Sequence, residues 1–172
     1  MRDNFQSVLA RVKDKYTNWI LGSIDATYDA TKYGQNGSTP LAAFILVSAA
    51  IDFMGGFLEG IDSFDPSSSG KIYKRFVEKY MPHYSAKYVY RSIRCRLAHN
   101  YTMGDGVALI HQNPSAHDPL GSHGEKIINF ENFYADFRIG VERYFIDLQK
   151  DKGLQKRFLR RSLLGFADVV KA

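Results

Sequence analysis

The sequence predicts a mainly α-helical domain, an up-and-down bundle of four to five helices with a small β-hairpin inserted after the fourth. Three observations predict it. Apolar residues recur at helical spacing over long stretches of the 172-residue chain. Those stretches are joined by short runs of turn formers, and short connections favour antiparallel neighbours. One segment breaks the pattern: Gly104 to Gly124 holds four of the 14 glycines, two prolines and three histidines between two β-prone runs. With 45% hydrophobic and 24% charged residues the composition is ordinary for a folded domain. A single domain over residues 1–172 is expected, since a chain of this size buries roughly 70% of its unfolded surface.

The first helix is predicted from Asn4 to about Tyr33. Phe5, Val8, Leu9, Val12, Tyr16, Trp19, Ile20 and Ile24 keep helical spacing over several turns. Gly34 to Ser38 ends it, and Thr39-Pro40 restarts a helix with threonine as N-cap and proline at the first position. Helix two, about Pro40 to Glu59, is apolar nearly all round and so belongs in the core. Its Gly55-Gly56 pair costs about 1 kcal/mol per residue relative to alanine, which predicts a close helix contact or a kink. Residues from Gly60 to Gly70 read as a loop. Helix three, Lys71 to Tyr80, stops at Met81-Pro82, because the residue before a proline disfavours helical dihedrals. Helix four runs from about Ser85 to His99. Val107 to His111 and Lys126 to Phe130 are the hairpin strands. Glu131 to Asp151 is helical, with Phe133, Phe137, Val141, Tyr144, Phe145 and Leu148 in phase. Gly153 breaks it, and Leu154 to Val170 forms a basic terminal helix.

Composition narrows the function. Cys95 is the sole cysteine, which excludes an intramolecular disulfide and any all-cysteine metal cage. The charged start of the chain lacks the apolar stretch of a secretion signal. The most apolar run, Leu41 to Ile51, falls short of the ~20 residues of a membrane span. A cytoplasmic protein without membrane contact is expected. The net charge of +5 is compatible with an anionic partner.

That charge gathers on helix four. Ala86, Val89, Tyr90, Ile93 and Leu97 define its core face, while Lys87, Arg91 and Arg94 form a basic stripe beside it. Tyr80, Tyr84 and Tyr88 interleave as flat surfaces on which bases stack. A solvated basic face is the plainer reading of the same pattern. At the helix end, Arg94 is followed after four residues by His99, Asn100 and Tyr101. A guanidinium matches phosphate geometry, and an imidazole moves protons near neutral pH. Together they suit metal-independent RNA cleavage: the imidazole takes the 2′-hydroxyl proton, and the guanidinium stabilises charge developing on the phosphate. Residues five apart on a straight α-helix are separated by about 140° around its axis. The pair therefore meets only where the helix ends or distorts near Ala98, or where a second subunit completes the pocket.

A helical up-and-down domain carrying Arg94-Cys95-Arg96-Leu97-Ala98-His99-Asn100-Tyr101 near the end of a late helix resembles the HEPN superfamily. The resemblance rests on this octapeptide and on the helical layout of the whole chain. It implies a homodimer with its motif helices facing each other across a basic cleft, and a ribonuclease site with no metal or other cofactor. By that resemblance Arg94 and His99 are the catalytic pair, and Lys87, Arg91, Arg96 and Tyr101 contact RNA. Members with the trailing tyrosine include toxins of toxin–antitoxin pairs, and a phage-defence role belongs to the same expectation. In such pairs a partner nucleotidyltransferase modifies the tyrosine, and Tyr101 is the corresponding position. Active members usually carry a polar residue directly after the arginine, where this chain has Cys95. The alternatives are a non-catalytic nucleotide- or RNA-binding module and a helical protein-interaction or regulatory domain.

Other residues have weaker claims to chemistry. Ser92, Cys95 and His99 share a face of a straight helix, but a buried cysteine packing as a small hydrophobe is the simpler reading. His111, His117 and His123 match no zinc spacing and read as surface-loop histidines. Glu59, Asp62 and Asp65 lack the order of a calcium loop. Lys152, Lys156, Arg157, Arg160, Arg161 and Lys171 read as a solvated basic face, with an RNA- or partner-contacting surface as the lesser alternative.

Overall fold

Helical periodicity becomes helix almost wherever it occurs in the computed structural model of the chain, which describes residues 2–32, 40–61, 69–100, 102, 105–122 and 124–165. The first rod runs unbroken through α1 (Arg2–Asp14), a π-helical segment (Lys15–Leu21) and α2 (Gly22–Lys32). Then come α3 (Leu41–Glu59) and α4 (Ser69–Tyr80). The next rod comprises α5 (Ala86–Val89), a second π-helical segment (Tyr90–Cys95) and α6 (Arg96–Asn100). Strands β1 (Val107–Ile110) and β2 (Lys126–Asn129) flank a 3₁₀ turn (Pro114–Ala116), and α7 (Phe130–Lys150) and α8 (Lys152–Gly165) follow. The expected mainly α architecture is the observed one. The turn at Gly34 to Ser38, the cap at Thr39, and the end of the terminal helix beyond Gly165 lie outside the described residues.

The most apolar helix is the hub. α3 touches α2, α4, α7, α8 and the Tyr90–Cys95 segment, and twelve of its residues are buried. By length and composition alone it would also cross a bilayer, properties that a core helix shares. Aromatic rings fill the space around it. Phe44 meets Phe130 edge-on at 5.2 Å and stacks on Phe133 at 6.0 Å, while Phe57 lies 5.0 Å from Phe158. The Gly55-Gly56 pair marks a close helix contact: a β-carbon on Gly55 would stand 2.5 Å from the Ile72 carbonyl oxygen of α4. α3 ends on Gly60, whose φ of 70° is the left-handed cap that glycine adopts without strain.

Two junctions differ from expectation. The break between α7 and α8 falls at Asp151 rather than at Gly153. Asp151 leaves helical dihedrals, and its carboxylate accepts the Leu154 N–H at 3.0 Å, so an N-cap ends one helix and starts the next. Gly153 sits inside α8.

The insertion is not a hairpin of its two strands. β1 and β2 pair in parallel, Val107 opposite Lys126 and Ile110 opposite Asn129. Parallel strands need a connection of a dozen or so residues, and 111–125 supplies one. The chain leaves β1, crosses over, and returns through Asp118, which exchanges hydrogen bonds of 2.8 and 2.9 Å with Ile127 in antiparallel sense. The tight reversal therefore belongs to the Asp118–Ile127 pair, and β2 lies between it and β1.

Candidate nucleic-acid interface

The rod from Ala86 to Asn100 carries the residues singled out from the sequence. Its apolar face is as expected: Ala86, Val89, Ile93 and Leu97 are buried against α3 and α4. Lys87, Arg91, Arg96 and His99 are exposed. The rod is distorted, though earlier than the sequence argument required: around Ala98 it is regular α-helix. Through Tyr90–Cys95 its bonding is π-helical, with the Arg96 N–H reaching the Arg91 carbonyl. A π turn takes in one more residue than an α turn, so residues beyond it are rotated from the faces they would otherwise occupy. Such turns collect at functional sites.

Arg94, inside that π segment, faces inward. Its Nε donates to Oδ2 of Asp52 on α3 at 2.9 Å. The two side chains are only 27% and 12% exposed, so this pair is well shielded from solvent. Burial pushes the Asp52 carboxyl up from its ordinary range, more strongly than Arg94 pulls it down. Burial also works against the Arg94 charge, but the bond to Asp52 and its charge outweigh this and hold the guanidinium protonated. The Nη nitrogens make no further hydrogen bond among the described residues. A guanidinium gripped by its Nε presents its outer edge in a fixed direction, the geometry that suits a phosphate.

His99 lies one turn beyond. Among the described residues no hydrogen bond or ion pair links it to Arg94: the arginine faces α3 and the imidazole is exposed. One protomer thus positions each residue without joining them. Arg96 is exposed, with an ion pair to Asp105 at 3.9 Å. Tyr101 lies outside the described residues. Ser92 is buried, Cys95 half-buried and His99 exposed.

The interleaved tyrosines are not stacking surfaces. Tyr80 and Tyr84 are buried in the core, where their hydroxyls donate to Asp147 and Asp136. The Tyr88 hydroxyl donates to the Gly106 carbonyl at 2.7 Å, and Lys126 covers its ring at 4.5 Å. Tyr80 ends α4, Tyr84 lies in the turn that follows and Tyr88 on α5, and α7 and the insertion supply their hydroxyl partners.

Elsewhere the plain readings divide. Lys152, Lys156 and Arg160 are solvated, but Arg157 donates to the Leu58 carbonyl at 2.7 Å and Arg161 is buried beside Phe57. His117 is no surface histidine, because both its ring nitrogens are hydrogen-bonded within the protein. His123, Asp62, Asp65 and Lys171 lie outside the described residues. Among the described residues no group of three or more His, Cys, Asp or Glu side chains is placed to hold a metal ion.

Sequence reasoning missed Asp52. A signal was present: it is the lone charge in α3 before the terminal Glu59, and a buried acid in an apolar helix demands a partner. No family model matches the chain, and neither a curated protein nor a solved structure matches it.

Proposed function

We propose that this chain binds RNA and cleaves it as a HEPN-like, metal-independent endoribonuclease assembled from two copies, with the Ala86–Asn100 rods facing each other. The observation that carries the reading is the Asp52–Arg94 contact: a core helix spends its one interior charge on holding a single arginine in a π turn of a basic helix. Among the described residues the Arg94 Nη nitrogens make no hydrogen bond, on a rod that also exposes Lys87, Arg91, Arg96 and His99. In the proposed reaction the His99 imidazole removes the 2′-hydroxyl proton, and the 2′-oxygen attacks the adjacent phosphorus. The bond to the 5′-oxygen breaks, and a protonated imidazole returns a proton to that leaving oxygen. Arg94 stabilises the charge on the phosphate oxygens during transfer. A second copy supplies what one protomer lacks, a histidine and an arginine across one cleft. In the toxin–antitoxin setting, Tyr101 is the site on which a nucleotidyltransferase partner acts.

The test is incubation of purified protein with mixed RNA in EDTA. Cleavage that falls about 100-fold or more in both Arg94→Ala and His99→Ala supports the enzyme, in line with the weight of general acid–base groups. A second reading, RNA binding without cleavage, is favoured by the separation of Arg94 from His99 in one chain and by Cys95 after the arginine. It predicts salt-sensitive RNA retention with no cleavage. Absence of both leaves the helical protein-interaction reading.

A further inference from the structure

The half-buried imidazole of His117 is held in one tautomer by partners from three segments. Its Nδ1 accepts the backbone N–H of Asn129 at 3.1 Å, so that nitrogen carries no proton. The ring proton is then on Nε2, which lies 3.1 Å from the Tyr84 hydroxyl. That hydroxyl in turn donates to Asp136 Oδ2 at 2.8 Å. Protons run one way along the chain, from Nε2 to the tyrosine oxygen and from the tyrosine to the carboxylate. Two of these contacts tie the 111–125 connection to its neighbours, to Asn129, which ends β2 and caps α7, and to Tyr84, in the turn before the Ala86–Asn100 rod; the third joins Tyr84 to α7 through Asp136.

We infer that His117 is a proton-operated latch: a second proton, at Nδ1, sets two donors face to face at Asn129 and releases the 111–125 connection from the N-cap of α7. The charged groups around the ring are Asp136 from α7 and Asp118 from its own segment, both of which favour the charged imidazole. Burial opposes them and prevails, so His117 is held below the ordinary histidine range. Tyr84 is the titratable group facing Nε2, and burial keeps it protonated far above neutral pH. Ser115, Asp118, Ser122 and Glu125 line an open hollow of about 550 Å³ beside His117, which gives solvent protons a route to the ring. The sign follows. A histidine depressed in the fold contributes stability above its unfolded value of 6.5, and that contribution is lost as pH falls below it.

Amide exchange of the full chain tests the latch. Between about pH 7.5 and about pH 5, a range set by the histidine, the protection factor of the Asn129 amide is expected to fall about tenfold, the effect of one lost hydrogen bond. Val141, in the middle of α7, keeps its protection. His117→Asn leaves an acceptor near the place of Nδ1 but takes no second proton, so its Asn129 protection stays flat with pH. Unchanged protection in the natural chain, joint loss at Asn129 and Val141, or an equal fall in His117→Asn each overturns the latch. Should that variant fail to fold, the ring nitrogens of the natural protein decide. A bare Nδ1 near pH 7.5 that titrates together with Asn129 opening supports the latch. The opposite tautomer, or titration without opening, refutes it.

Discussion

Asp52 and Arg94 meet at 2.9 Å between α3 and the π segment of the basic rod, one carboxylate oxygen on the guanidinium Nε. The other oxygen, Oδ1, is buried with no hydrogen-bond partner among the described residues. Bonding at one end orients the arginine without neutralising its outer edge. Asp52→Asn keeps the shape and removes the grip. The expected outcome is RNA cleavage or retention reduced by about tenfold, the size of one lost charge-assisted bond. The melting temperature moves little, because burial already disfavours the Asp52 charge. Paired activity and thermal-melting measurements check it. A collapse in stability with RNA activity intact would make the contact purely structural.

The exposed cations invite a different measurement. Lys87 and Arg91 lie one turn apart on the rod, exposed and with no hydrogen bond or ion pair among the described residues. Replacing either by alanine is expected to weaken RNA retention evenly across sequences and to reduce the salt slope by about 0.7 for a single strand. Lys156→Ala, on the solvated face of α8, should leave the slope unchanged. Filter retention at several salt concentrations separates the two surfaces.

Gly55 leaves less room for interpretation. The Ile72 carbonyl stands 2.5 Å from where a β-carbon would be, and that carbonyl belongs to backbone rather than to a flexible tip. Gly55→Ala therefore forces α3 and α4 apart. Overpacking of this kind costs about 1–3 kcal/mol, which corresponds to a melting-temperature loss of roughly 2–12 °C in a chain of this size. Differential scanning calorimetry reads it directly.

The legibility of these features varied with the range of the forces that set them. Periodicity placed the helices within a residue or two, since burial of one face is local information repeated every turn. The Gly55-Gly56 pair announced a tight contact because glycine inside an apolar helix is costly without a packing reason. The parallel pairing of β1 and β2 was not legible, because Val107–Ile110 and Lys126–Asn129 look alike in either sense and the choice rests on Asp118 pairing with Ile127. The stop at Asp151 was overlooked in favour of the nearby glycine, although an aspartate N-cap is as strong a signal. The π segment at Arg94 left no local signature. It depends on how the rod sits on α3, which is long-range. Asp52 and His117 illustrate the same limit, for what each does is decided by partners 42 and 12 residues away.

Glu131 joins α2 and the β1 exit to α7 and gives the fold an acid limit. Its Oε1 accepts from the Tyr28 hydroxyl and from the Gln112 N–H at 2.8 Å, so α2 and the β1 exit are tied to the first turn of α7. Burial pushes this carboxyl up, but the hydrogen bonds to its charged form prevail and hold it below the ordinary glutamate range. A carboxyl depressed in the fold contributes stability above its unfolded value of 4.5, lost as pH falls through the folded value. Glu131→Gln removes the charge. It is expected to cost about 1.5–3 kcal/mol at neutral pH, the worth of hydrogen bonds to a charged group. The deficit should shrink as the natural chain is acidified, because the natural carboxylate is then neutralised too. Urea denaturation of both chains at neutral pH and at about pH 3.5 measures the difference, and a gap that stays constant between the two would show that Glu131 acts by shape rather than by charge.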